Sequence, residues 1–374
     1  MDLTWLEISK SALLKNVAEI KKSLAPQTKF MAVVKANAYG HGLLEVVNAI
    51  KNKVDAFAVF DFNDAIYLRG KKLTKPILTL GRLWPEQINW ALKNNLEVTV
   101  TTFDIFDVIK KGTGEQKLMV HICVDTGLGR DGFAAADMEK LNEILQNKNV
   151  QKNVEIVGLY AHFASADDAG FDYYTTSQII ALRKWQKSLE KIGLKPAIHH
   201  GASAGVLSGQ ATSFDIARIG VSLYGFWPSK EVKVRNKNNS NLQPVLSWKA
   251  KISEVKNMPK GSAISYGCSH ILTRDSKIAV LPIGYFDGIA RVSSGRSWVL
   301  IGGKKVPQIG RVTMNLIVVD VTDVKKVKEG DIATIIGCDE KETISAEDWG
   351  SWSQTSNYEV VTKINSVINR KMVA

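Results

Sequence analysis

Lys35 is the residue in this chain best placed to do chemistry. It follows the apolar run Phe30 to Val34 and opens the turn-rich end of TKFMAVVKANAYGHG (28–42). An ammonium among apolar neighbours loses hydration, which favours its neutral form, and a neutral lysine can attack a carbonyl. The same pattern suits a lysine whose stem packs at a strand end while its head reaches solvent. The other polar residues must decide. Arg130 follows an apolar run in CVDTGLGR, His162 ends another in LYAHF, His199 and Ser203 stand in HHGASAG, and Arg218 lies in DIARIGVSLYG. Taken singly, His162 reads equally as a satisfied core histidine, Arg218 as a buried ion-pair member and Ser203 as a helix N-cap.

Such residues need a common scaffold, and the apolar runs supply one. They are 29–34, 55–60, 76–81, 96–102, 117–125, 155–163, 197–201 and 215–225, eight in all, with amphipathic stretches before and between them. Leu13, Leu14, Val17, Ile20 and Leu24 repeat at helical spacing after Ser11, as do Leu182, Trp185, Leu189 and Ile192 before Gly193. Strand and helix alternating eight times predict a (β/α)8 TIM barrel over residues 1–229, an α/β fold. Near-continuous apolar strands fit a parallel sheet covered on both faces. A doubly wound open sheet is the competing architecture, and the absence of GxGxxG after the first strand counts against its dinucleotide-binding form. SKEVKVRNKNNSNLQ (229–243) reads as a polar connection, and residues 230–374 as a β-rich domain that residues 1–10 could join.

In a barrel of this kind reactive groups gather at the C-terminal ends of the strands, and Lys35, Arg130, His162, His199 and Ser203 all fall there. The last two strands usually carry a phosphate cradle, for which Ser203 and the amides near Gly220 are the donors. A lysine facing a phosphate site suggests pyridoxal phosphate.

Composition narrows the partners. With 374 residues and 45% hydrophobic content the chain can build more than one core. No apolar stretch is long enough to cross a bilayer and no basic head precedes an apolar run, which predicts a soluble, cytoplasmic protein without a membrane partner. Cys123, Cys268 and Cys338 have no metal-ligand spacing, so reduced thiols and no metal are expected. The net charge of +12 comes from lysines spread along the chain, and without a nucleic-acid motif it predicts no nucleic-acid partner.

Ten segments in order resemble the alanine racemases, fold-type III pyridoxal-phosphate enzymes. They are TWLEISKSALLKN (4–16), AVVKANAYGHG (32–42), VDTGLGRDGF (124–133), LYAHFASAD (159–167), RIGVSLYG (218–225), PVLSWKAKI (244–252), ISYG (264–267), PIGYFDG (282–288), GRVTMN (310–315) and NYEV (357–360). The resemblance implies a barrel and a β domain in a head-to-tail homodimer with active sites shared between subunits. It implies racemisation of alanine, supplying D-alanine for peptidoglycan, with pyridoxal 5′-phosphate bound to Lys35. Two bases act on opposite faces of the substrate: Lys35 for the D-enantiomer and Tyr266 of the partner subunit for the L-enantiomer. Arg218 matches the partner of the pyridine nitrogen, a guanidinium that does not readily release a proton. Tyr39, Ser203, Gly220, Val221 and Tyr358 match phosphate-binding positions, His162 the residue against the ring, and Arg130 the arginine near the phenolic oxygen and substrate. Met314 and Tyr285 match the substrate pocket, with Arg311 at its entrance.

Three positions depart from the family's pattern. Cys123 stands where a carbamylated lysine is common, which predicts a bound anion or water beside Arg130. Ala202 replaces the asparagine of HxANSA, and Asn315 the aspartate after Met314. These departures bear on substrate range, and a broad-spectrum or serine-accepting racemase is the nearest alternative. A fold-type III decarboxylase and a non-catalytic pyridoxal-phosphate carrier are further ones.

Overall fold

The computed structural model describes residues 2–114, 116–211, 214–236 and 241–374. Residues 237–240 of the expected polar connection lie outside the described residues; before them Lys230–Arg235 forms a short helix.

Two compact units emerge. One comprises residues 13–36 and 47–243, the other residues 1–12, 37–46 and 244–374. Residues 230–236 and 241–243 cluster with the first unit, and the segment after Lys35 and Ala36 with the second.

The first unit is a parallel eight-stranded barrel. After β1 (Thr4–Ser9), which belongs to the other unit, its strands are β2 (Lys29–Val33), β3 (Ala56–Val59), β4 (Ile77–Arg82), β5 (Glu97–Val100), β6 (Leu118–Cys123), β7 (Val154–Tyr160), β8 (Ala197–His199) and β9 (Ile216–Ile219). They pair in chain order, and β9 returns to β2 with Met31 opposite Arg218. Between β8 and β9 the ring is completed by amide bonds from Asp215 to Ile198 (3.0 Å) and from Arg218 to Gly201 (2.8 Å). Every residue of β3 and β9 is buried, as expected of strands covered on both faces. Each fully buried aliphatic side chain among them contributes roughly 1.5–3 kcal/mol on leaving water. The helix Asp172–Lys191 buries Leu182, Trp185 and Leu189, the stripe its spacing requires, and stops before Gly193 at φ +82°.

The last barrel run is shorter than its apolar pattern. Only 216–219 is strand, and Val221–Tyr224 forms a 3-10 turn after Gly220, whose φ and ψ of −109° and −100° end the extended chain.

The second unit is strand-rich. β1 pairs antiparallel with β10 (Leu246–Lys251) and parallel with Asn369–Val373, while β10 pairs antiparallel with Ile332–Asp339. Thus the first strand and the last are joined in one sheet. Ile264, Leu272, Ile278 and Ile309 form a local core.

Candidate active site

Lys35 stands immediately after β2, at the barrel's C-terminal rim. Its half-buried ammonium is held below the ordinary lysine pKa first by burial and then by the guanidiniums of Arg130 and Arg218. No carboxylate pairs with it among the described residues. All these influences favour the neutral, nucleophilic amine. The backbone beyond it is unusual: Ala36, Asn37, Ala38 and Tyr39 all have φ between +52° and +54°. Four non-glycine residues in the left-handed region store roughly 4–8 kcal/mol of strain, at about 1–2 kcal/mol each. Such strain persists only where surrounding contacts over-determine it, and it concentrates at functional sites.

Arg218 is 4% exposed and lies on β9 inside the barrel. Its Nη1 donates to His199 Nδ1 (2.7 Å) and to the His199 carbonyl (2.6 Å), and its Nη2 to the Ala161 carbonyl (2.7 Å). A guanidinium only donates, so His199 Nδ1 accepts and its Nε2 carries the proton. That proton is donated to His121 Nδ1 (2.8 Å), and His121 Nε2–H to Glu97 Oε2 (2.9 Å). One donor direction therefore runs from Arg218 through two imidazoles to a carboxylate. It holds the guanidinium in place. His121 and Glu97 escaped the sequence reading; the available signals were a histidine inside KLMVHICVD and a glycine inside EIVGLY.

Gly158 is explained by that chain, because a Cβ there would overlap the His121 ring, Nδ1 first. Gly158→Ala is expected to destabilise the protein by about 1–3 kcal/mol, the usual range for overpacking a core. Denaturant unfolding of the variant and the wild type measures this.

Burial keeps three other ring systems neutral. His41, His199 and His200 are fully buried. Burial is the leading cause that lowers His41 to about 4, His200 to about 3, and His199 well below the ordinary value. The unfolded chain takes up protons near pH ~6.5 while the folded chain resists them, so the stability they contribute is complete above ~6.5 and lost below it. With His162, which burial lowers likewise, these histidines predict a fall of about 5 kcal/mol in unfolding free energy between pH 7.5 and 5.5, read from urea midpoints.

The anion cradle lies where β8 and β9 end. Ser203 Oγ accepts from the amides of Gly220 (3.1 Å) and Ser222 (3.3 Å). With both lone pairs engaged, its O–H remains to be donated, which suits an anionic oxygen. Val221 opens the 3-10 turn beside it. Ala202 stands as N-cap of Ser203–Leu207 with no side-chain cap bond, the bond an asparagine supplies.

His162, two residues past β7, is lowered to about 3, by burial first and then by Arg218, Arg130 and Lys35. The barrel thus gathers Lys35, Arg130, His162, Arg218 and the Ser203 cradle. Cys123 ends β6 with its thiol raised to about 11, chiefly by burial, and donates to the Asp131 carbonyl (3.7 Å). Arg130 Nε is 3.5 Å from Oδ2 of Asp131, the next residue, with both side chains exposed.

The second unit carries the remaining residues. Tyr39 is pushed up to about 12 by burial and by Tyr358, which places these two phenols near each other. Tyr266 is 73% exposed. It is flanked by Ser265 at φ +65° and Gly267 at φ +71°, and the Arg311 guanidinium lies against Gly267. Ser265 Oγ donates to the Arg311 carbonyl (2.9 Å). Tyr285 and Phe286 donate their amides to the carbonyls of Thr313 and Met314 (3.0 Å each), which fixes Tyr285 next to Met314. Asn315 follows on the same exposed loop. A cavity of about 500 Å³ in this unit is lined by Arg291, Val292, Ser294 and Arg311; Arg291 was not singled out in the sequence.

A barrel that carries a neutral-leaning lysine at its rim, a donor-only arginine and an anion cradle has the make-up of an enzyme of the α/β-barrel class. Family models for the N-terminal and C-terminal domains of alanine racemase match residues 8–228 and 245–372. The alanine racemase of Methanococcus maripaludis is 37% identical over 375 residues, covering 98% of this chain and 97% of the relative. That of Desulforamulus reducens is 38% identical, covering 98% of each. Among solved structures, the alanine racemase of Bacillus anthracis with bound L-Ala-P has a TM-score of 0.91 at 33% identity, covering 100% of this chain and 96% of that one. The chain belongs to the alanine racemase family and is a racemase.

Proposed function

We propose that the protein interconverts L-alanine and D-alanine with pyridoxal 5′-phosphate, acting as a cytoplasmic homodimer that supplies D-alanine. The observation that carries this reading is the conjunction, within one barrel, of Lys35 below its ordinary pKa and Arg218 fixed as a pure donor by the His199–His121–Glu97 chain. The donor set fits the cofactor: the Ser203 hydroxyl, held by the Gly220 and Ser222 amides, has its proton to give to a phosphate oxygen, and Val221 between them brings a further amide. Tyr39 and Tyr358 would add phenol donors. Pyridoxal phosphate, when bound, draws electrons from the α-carbon of an attached amino acid and makes its proton acidic.

Lys35 would hold the cofactor, then remove or return the α-proton on one face through its amine. Arg218 would donate to the ring nitrogen without surrendering its proton, which keeps charge off the ring and disfavours transamination. His162 would pack against the ring, with Arg130 by its phenolic oxygen. Tyr266 of the partner subunit would serve the opposite face; its exposure leaves the phenol available to another chain. Met314, Tyr285 and Arg130 would bound the substrate. Free thiols at Cys123, Cys268 and Cys338 accord with a reducing compartment.

The test is chiral analysis after incubating the purified protein and cofactor with separate L-amino acids, alanine, serine, lysine and arginine among them. D-alanine as the main product is expected. Cofactor uptake without any D-amino acid would reject the reading. Faster turnover of serine would favour the broader alternative, which the loss of charge at Asn315 makes worth including.

A further inference from the structure

The strained turn after Lys35 needs something to hold it, and the candidates are few. Gly42 N donates to the Asn37 carbonyl (3.0 Å), Leu43 N to Asn37 Oδ1 (2.8 Å), and His41 N to the Ala38 carbonyl (3.1 Å). Arg370 Nε donates to the Gly40 carbonyl (3.2 Å), and a Cβ on Gly40 would overlap the Val361 carbonyl oxygen. A side chain bonds the left-handed stretch at Tyr39: His41 Nδ1 lies 2.8 Å from the Tyr39 carbonyl. A carbonyl only accepts, so the imidazole is the Nδ1–H tautomer.

We propose that His41 is a positioning residue: its Nδ1–H bond to the Tyr39 carbonyl locks the left-handed turn Ala36–Tyr39 and so sets the directions in which Lys35 and Tyr39 leave the backbone. The proposal rests on the preceding reading that these two residues hold the cofactor. Right-handed backbone is the lower-energy state for Ala36, Asn37, Ala38 and Tyr39. If the bond to the Tyr39 carbonyl is lost, the carbonyl can turn, and rotation at one left-handed residue swings its neighbours' side chains. His41 is fully buried, and the charged group facing it is the Arg370 guanidinium; both oppose a second proton on the ring. The bond is therefore kept across ordinary pH as a neutral donor. It requires a nitrogen at the Nδ1 position and no charge.

That requirement separates two substitutions. Asparagine can place its amide nitrogen where Nδ1 stands, whereas glutamine extends to the Nε2 position and leaves the Tyr39 carbonyl without this donor. In the reconstituted holoenzyme, His41→Gln is expected to weaken pyridoxal-phosphate affinity about tenfold, the worth of one buried hydrogen bond, and His41→Asn to stay within about threefold of wild type. The pH at which the visible band of the lysine-bound cofactor shifts should also move in His41→Gln and be restored in His41→Asn. A nitrogen-15 histidine spectrum of the wild type should show His41 as the neutral Nδ1–H tautomer at pH 6. Equal affinities and band pH in all three proteins, with only thermal stability altered, would overturn the proposal. So would an Nε2–H or protonated His41. If the variants fail to fold, the wild-type tautomer decides. Failure of the wild type to take up any cofactor would instead defeat the functional reading, and the tautomer measurement would still judge His41.

Discussion

Lys35→Arg is expected to abolish racemisation, by ~10⁴-fold or more, because it removes both a nucleophile and a general base. Arginine retains positive charge and length, but its guanidinium is always protonated and cannot attack a carbonyl. The wild-type amine differs for reasons visible in the fold. Burial at the barrel rim and the neighbouring charges of Arg130 and Arg218 all push it below the ordinary lysine value. Chiral measurement of D-alanine checks the rate. Borohydride reduction of the loaded wild type should fix the cofactor mass on the peptide containing Lys35, and the variant should yield no such peptide. Retained turnover in Lys35→Arg would move the chemistry to another residue, since no guanidinium can replace the amine.

Tyr266→Phe should lower racemisation by ~10²–10⁴-fold, the range for loss of one general acid–base group. Exchange of the α-proton of L-alanine should suffer far more than that of D-alanine, and cofactor loading should be nearly unchanged. Phenylalanine keeps the ring and removes only the hydroxyl of a residue that is 73% exposed, so a fold defect is not the expected cause. The partner-subunit role has its own signature. When inactive Lys35→Arg and Tyr266→Phe proteins are mixed and reassembled, half the dimers are mixed, and each holds one intact site if the tyrosine acts across the dimer. Activity should then return to about one quarter of wild type, whereas a tyrosine acting within its own chain would return none.

The barrel was legible because its information is local. Apolar runs of strand length and stripes at helical spacing report burial directly, and once the strands are ordered, a polar residue at a strand end is at the rim. That is why Lys35, His162 and Ser203 could be singled out, and the ordered motifs added Tyr266, Tyr285 and Met314. Motif matching also drew attention to Cys123, although it could not show that its thiol donates to the Asp131 carbonyl.

Other features depend on residues far apart in the chain. Nothing in Ala-Asn-Ala-Tyr predicts a left-handed turn, since each residue prefers the opposite hand; the contacts beside it, from Arg370 and the Val361 backbone to Gly40, come from the far end of the chain. The chain behind Arg218 joins Glu97, His121 and His199 from β5, β6 and β8, and its donor order follows only from their meeting. Likewise β1 lies in the sheet with β10 and the C-terminal strand, more than two hundred residues away. Sequence alone determined that eight strands alternate with helices to make a barrel and which polar residues stand at its rim, because periodicity and burial are written residue by residue. Tertiary structure alone decided the hand of the turn after Lys35 and the tautomers behind Arg218, because strain and hydrogen-bond direction are set by contacts that no single segment contains.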